Sequence, residues 1–266
     1  MSEVIVVTSG KGGVGKTTTA ANIGTGIAAT GRKVVVLDAD IGLRNLDVIM
    51  GLENRVIYDL VNVIEGNCRL KQALVRDKHY ENLFLLPAAQ TRDKNSVTPE
   101  QMAKLCSTLK DEGFDYIIID CPAGIEQGFK NAIAGADRAI VVTNPEVSAV
   151  RDADRIIGLL EANEINDIRL VINRIRHDMV RRGDMMNKED IIEILAIKLL
   201  GLVPDDESII VSTNKGEPAI LDNKSLAGQA YKNIARRILG DDVPMLELEE
   251  EANIFTKIKK IFGMAK

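Results

Sequence analysis

Residues 4–17 read Val4-Ile5-Val6-Val7-Thr8-Ser9-Gly10-Lys11-Gly12-Gly13-Val14-Gly15-Lys16-Thr17. The β-branched run at the start predicts a short buried strand, and helical patterning follows from Thr17 to Thr30. Between them, Gly10 to Thr17 fits G-x-x-x-x-G-K-[ST] in full. A strand, a glycine-rich loop and a helix in that order are the setting in which this spacing cradles phosphates. Glycines let backbone N–H groups converge on an anion without a Cβ in the way, and the helix start adds its positive end. In such a loop Lys16 reaches the β- and γ-phosphate oxygens and the Thr17 hydroxyl is placed on Mg²⁺. Thr18 stands beside them in the first helical turn. The stretch therefore predicts a nucleoside-triphosphate site.

Working outward, short apolar runs recur at Lys33–Leu37, Leu83–Leu86, Tyr116–Ile119, Ala139–Thr143, Ile168–Ile172 and Leu199–Val203. Lacking polar alternation, they suit parallel strands covered on both faces. Helical patterns fill the intervals at Glu100–Glu112, Ala149–Asn163, Lys188–Ile197 and Leu226–Leu239. This alternation predicts an α/β fold: a single-domain, doubly wound, mostly parallel sheet with helices on both faces. No Pro- or Ser-rich linker divides residues 1–242.

Two strands lead directly into carboxylates, Asp38-Ala39-Asp40 and Asp120-Cys121-Pro122. A carboxylate at the C-terminal end of such a strand lies on the phosphate side of the sheet, within reach of a metal or a water. Asp120 is thus a candidate metal carboxylate, and Asp38 and Asp40 flank the same region. Asn173-Arg174 and Pro204-Asp205 follow two later strands. A guanine-specific site would want N-K-x-D, but the fourth position here is Arg176, which favours ATP over GTP.

The loop holds a second lysine, Lys11, giving K-G-G-x-G-K-[ST]. With it the chain resembles the deviant Walker A (ParA/MinD) family of ATPases, and the resemblance covers essentially the whole chain. Runs such as Ile41-Gly42-Leu43-Arg44-Asn45-Leu46-Asp47, Thr143-Asn144-Pro145-Glu146-Val147-Ser148 and Asn214-Lys215-Gly216-Glu217-Pro218 resemble its septum-placement branch. The resemblance implies an ATP-dependent homodimer in which Lys11 reaches the partner's nucleotide and Glu146 its ribose. It further implies that Asp40 positions the attacking water, that Asp38 supports a metal shell built on Thr17 and Asp120, and that Asn173, Arg174, Pro204 and Asp205 receive adenine. Asp152 and Asp154 would face the division inhibitor MinC or a MinE-type activator (or a polar anchor system would organise the protein instead). Partition ATPases acting on DNA and flagellar-number ATPases share the signature.

Composition narrows these classes. The 266 residues carry 34 Lys and Arg against 39 Asp and Glu, with five Phe, four Tyr and no Trp. Net acidity and few stacking rings argue against general nucleic-acid binding. Cys68, Cys106 and Cys121 are widely spaced, so neither a disulfide framework nor a metal site is suggested. The N-terminal residues lack the pattern of a secretory signal, which predicts a cytoplasmic protein.

After an acidic linker (243–252), residues 253–266 hold four of the lysines and none of the acids. Ile254, Phe255, Ile258, Ile261 and Phe262 fall on one helical face, with Lys257, Lys259 and Lys260 opposite or flanking. That is the composition of an amphipathic helix lying on the inner face of an anionic membrane. Burying five large apolar side chains contributes roughly 7–15 kcal/mol and three lysines about 3 kcal/mol. Ordering some nine residues costs roughly 9–18 kcal/mol. One tail is near balance; two tails in a dimer gain avidity.

Overall fold

Glu3–Thr8 forms strand β1, and its side chains alternate between two apolar layers. Val4 and Val6 enter one core with Val35, Leu37, Ile117 and Ile119. Ile5 and Val7 enter the other with Val34, Val36 and Ile118. A strand that must bury both faces has no place for polar alternation, which is why the runs read as continuous apolar stretches. The computed structural model describes residues 2–93 and 96–246. The lysine-rich segment, with Ile254, Phe255, Lys257, Ile258, Lys259, Lys260, Ile261 and Phe262, lies outside the described residues.

In chain order β1 is followed by α1 (Lys16–Ala28), β2 (Val34–Asp38), α2 (Leu46–Ile49), α3 (Leu60–Ile64), α4 (Leu70–Ala73), β3 (Val75–Arg76) and β4 (Leu83–Leu86). Then come α5 (Pro99–Asp111), β5 (Tyr116–Asp120), α6 (Gln127–Ile133), β6 (Arg138–Thr143), α7 (Val147–Ala162) and β7 (Ile168–Ile175). The remainder is α8 (His177–Arg182), α9 (Lys188–Leu195), β8 (Lys198–Pro204), α10 (Ser208–Lys215) and α11 (Leu226–Ile238). The sheet order is β3-β4-β2-β5-β1-β6-β7-β8. Every pairing is parallel except β3 with β4. The doubly wound fold expected from the sequence is the one found.

Strand positions agree with the sequence reading except that the two-residue edge strand β3 was not foreseen, Pro204 closes β8 instead of following it, and β7 is longer. That strand does not stop at Ile172 but runs on to Ile175 through a break in its register with β8. Asn173 and Arg174 therefore lie within it, not after it. The short helices α2, α3, α4, α6, α8 and α10 were not foreseen; with four to eight residues each, they carry too few apolar positions to show a period.

Helices α1 and α11 lie together on one face of the sheet. Buried Tyr231 and Thr19 share a hydrogen bond of 3.2 Å, and a Cβ at Gly26 would come within 2.7 Å of Ala235 Cβ. At the end of α11, Arg237 donates to the carbonyls of Leu200, Val243 and Pro244. Among the described residues no helix is long and apolar enough to cross a membrane.

Gly228 gives a test whose sign decides. In an open helix Gly→Ala stabilises by up to about 1 kcal/mol. Here a Cβ would lie 2.4 Å from the Ala219 carbonyl oxygen, a backbone atom. Gly228→Ala should instead destabilise by about 1–3 kcal/mol, read as a lower urea midpoint.

Candidate functional site

The phosphate loop opens where β1 ends. Buried Ser9 donates its hydroxyl to the Lys11 carbonyl at 2.8 Å, closing the first bend. Gly13 and Gly15 take φ of 78° and 97°, the left-handed region that glycine enters without strain. The first turn of α1 then closes with Thr19 N–H on the Gly15 carbonyl, 2.9 Å. Lys16, buried at the helix start, and Thr17 stand where the loop meets the helix. Gly10 packs against α7, where a Cβ would lie 2.3 Å from the Asp152 carbonyl oxygen.

Beside the loop, Asp38 and Asp120 face each other in the parallel register of β2 and β5. Both are buried. Asp38 uses its two oxygens to hold the following loop, accepting Asp40 N–H at 2.9 Å and Leu46 N–H at 3.3 Å. This second task has no signal in the local sequence. Asp120 keeps a buried oxygen, Oδ1, without a hydrogen-bond partner. Burial pushes both acids above the ordinary carboxylate range; the Asp38 charge raises Asp120 further, and the Asp40 and Asp47 charges raise Asp38. The Lys16 charge and the Thr17 hydroxyl pull Asp120 the other way without overcoming burial. Such a pair is incomplete without a cation. Mg²⁺ is held mainly by one or two carboxylates together with substrate phosphates, and Thr17, Asp120 and the adjacent Asp38 fit that donor set.

Asp40 is half-buried, and its carbonyl takes the N–H groups of Leu43 and Arg44 in the turn after β2. Arg44 pairs with buried Asp47 at 2.7 Å, tightening the same turn. Lys11 is exposed and lies 3.2 Å from Ser148 Oγ and 3.5 Å from a Glu146 oxygen. The two residues expected to reach across a dimer therefore meet each other within this chain. Asp152 is half-buried and Asp154 exposed along α7.

At the ends of β6, β7 and β8 lies an open cavity of about 400 Å³. It brings Glu146, Arg174 and Asp205 together with Asn144, Met179, Met185 and Met186. Asn173 turns instead to the phosphate loop, and Pro204 ends β8 opposite Ile175. The methionine wall was missed because its residues lie on α8 and the segment after it, and only the fold carries them to this cavity. Leu43, Ile125, Val147, Ile210 and Val211 are all exposed, and all lie in segments that follow the C-terminal ends of strands. They share the edge of the sheet that bears the phosphate loop.

The family model described as ParA, NUBPL iron-transfer P-loop NTPase, matches residues 1–239. A septum site-determining protein MinD of Bacillus subtilis is 60% identical over 267 residues, covering 99% of each chain. The chain belongs to the MinD family of ParA-type P-loop NTPases. Two solved MinD-family structures share its fold. MinD in a MinC:MinD cell division protein complex from Aquifex aeolicus is 48% identical, with a TM-score of 0.87 over 92% of this chain and 99% of that one. The septum site-determining MinD of Pyrococcus horikoshii, complexed with Mg-ADP, is 29% identical with a TM-score of 0.82 over 91% and 100%. Nucleotide and Mg²⁺ binding thus belong to the family.

The buried acid pair makes stability depend on pH. Unfolded, Asp120 gives up its proton near 3.8; folded without nucleotide it holds it to about 8. The folded state binds more protons across that window, so its stability falls as pH rises from about 4 to about 8. Asp120→Asn should flatten this fall, measured as the nucleotide-free thermal midpoint against pH. An unchanged slope would rule out the buried acid as its source.

Proposed function

We propose that this chain is an ATPase of the septum-placement kind, which hydrolyses ATP to ADP and phosphate with Mg²⁺, dimerises when ATP is bound and attaches to an anionic membrane through residues 253–266. The observation that carries the reading is Lys11, exposed at the mouth of a complete phosphate loop and held by a surface ion pair. An exposed pair contributes about 1 kcal/mol or less, so the lysine is free to exchange Glu146 for a partner's nucleotide. The exposed apolar side chains on the same edge supply a face for a second copy to cover.

On this reading Gly10, Gly12, Gly13, Val14 and Gly15 wrap the phosphates with backbone N–H groups, and Lys16 meets the β- and γ-oxygens. Thr17 and Asp120, with Asp38 adjacent, hold Mg²⁺, which neutralises the phosphate charge when bound. Asp40 orients the attacking water, a task of positioning for which a weakly basic carboxylate suffices. Lys11 of the partner subunit adds positive charge at the γ-phosphate, and Glu146 meets the partner's ribose. Adenine enters the cavity beside Arg174, Pro204 and Asp205, with Asn173 beneath.

Asp152 and Asp154 on α7 receive MinC or a MinE-type activator; the complex of the Aquifex relative supports such a partnership. The protein then shuttles between the cytoplasm and the inner face of the membrane, carrying the inhibitor with it.

Full-length protein should sediment with anionic liposomes in ATP and remain in solution with ADP or no nucleotide. Removing residues 253–266 should abolish binding. Equal sedimentation without nucleotide would sink the switch, and ATP-dependent retention on nonspecific DNA that survives tail removal would indicate a partition-type ATPase. Lys11→Ala should lose ATP-dependent dimers in analytical ultracentrifugation. Asp40→Ala should keep them while phosphate release slows about a hundredfold or more.

A further inference from the structure

Asn173 sits at the irregularity of β7. The register with β8 shifts between Ile172 and Ile175, and Arg174 takes a φ of 57°. A bulge of this kind turns a side chain out of its regular place in the pleat. Asn173 Nδ2 donates to the Val14 carbonyl at 2.7 Å, and its Oδ1 accepts the Arg174 N–H at 3.0 Å. The residue is 6% exposed. Its carboxamide occupies the space that the missing side chain of Gly15 leaves, since a Cβ there would lie 2.3 Å from Nδ2. Glycine at position 15 thus meets two needs at once, a left-handed φ of 97° and room for this amide.

We infer that Asn173 is a positioning residue for the phosphate loop, acting on the Val14–Gly15 peptide whether or not it also touches the base. The inference rests on the nucleotide reading above and deepens it. A trans peptide is planar, with its carbonyl and N–H pointing in opposite directions. Drawing the Val14 carbonyl toward β7 therefore turns the Gly15 N–H away from it, and in a phosphate loop it is such N–H groups that meet the anion. Without the amide, that peptide is free to rotate, because the glycine beside it tolerates several orientations. Affinity then falls in proportion to the fraction of loops that remain competent. An aspartate in the same place sets a carboxylate oxygen against the Val14 carbonyl oxygen, two acceptors with no proton between them.

The two roles separate with a ligand that has no base. Full-length wild type, Asn173→Ala and Asn173→Asp are titrated calorimetrically with ATP and with inorganic tripolyphosphate, both in Mg²⁺, and thermal midpoints are recorded beside them. A positioning role predicts that Asn173→Ala binds both ligands about tenfold or more weakly, with Asn173→Asp weaker still. Asn173→Asp keeps the side chain's size and carries the test if the alanine variant fails to fold. Loss of ATP affinity with tripolyphosphate binding unchanged would overturn the inference and leave a base contact alone. Unchanged binding of both would overturn it outright. If wild type itself binds neither ligand, the nucleotide reading fails, and the inference with it.

Discussion

Two buried carboxylates standing side by side on neighbouring parallel strands are the constraint on which this molecule turns. Asp38 and Asp120 are in register because β2 pairs with β5 along its whole length. The same ladder continues into the turn, where Ala39 N–H meets the Asp120 carbonyl at 3.0 Å. On the other side β5 pairs with β1, whose end opens the phosphate loop. Three adjacent strands thus fix acids, lysine and glycine turn relative to one another. Burying a charge costs several kcal/mol unless it is compensated, and without a cation the pair meets that cost by keeping a proton on Asp120.

Much of this was legible in the chain. The glycine spacing from Gly10 to Thr17 and the apolar runs named the loop, the strands and their parallel arrangement, because each rests on local backbone geometry or on burial of a continuous face. Asp40 and Asp120 were recognisable because each follows a strand. What escaped was whatever depends on two distant segments meeting. No local signal announces that Lys11 will find Glu146 and Ser148, or that Met179, Met185 and Met186 will border the cavity of Glu146 and Asp205. The bulge in β7 was equally hidden: Ile172-Asn173-Arg174-Ile175 reads as a strand giving way to polar residues, whereas pairing with β8 resumes beyond the irregularity.

Strong and weak contacts are distributed unevenly around the loop. The buried side is fixed by hydrogen bonds, from Asn173 Nδ2 to the Val14 carbonyl and from the Asp40 and Leu46 amides to Asp38. The exposed side is held by Lys11 and Glu146 at 3.5 Å, both well solvated. Solvent screening keeps the exposed contacts exchangeable, while the buried ones resist competition from water. The cradle is thus rigid on its buried side, with a loosely tethered lysine at its rim.

The grip of Arg237 on the carbonyls of Val243 and Pro244 has a mechanical consequence. Gly240 and Arg237 border a cavity with Arg138, Arg169 and Leu199, residues at the starting ends of β6, β7 and β8. The phosphate loop lies at the finishing end of β1, so Val243 and Pro244 are pinned at the opposite end of the strands from that loop. If two bodies join as proposed, their anchors at Val243 and Pro244 stand at a spacing set by the join, as two mooring lines do.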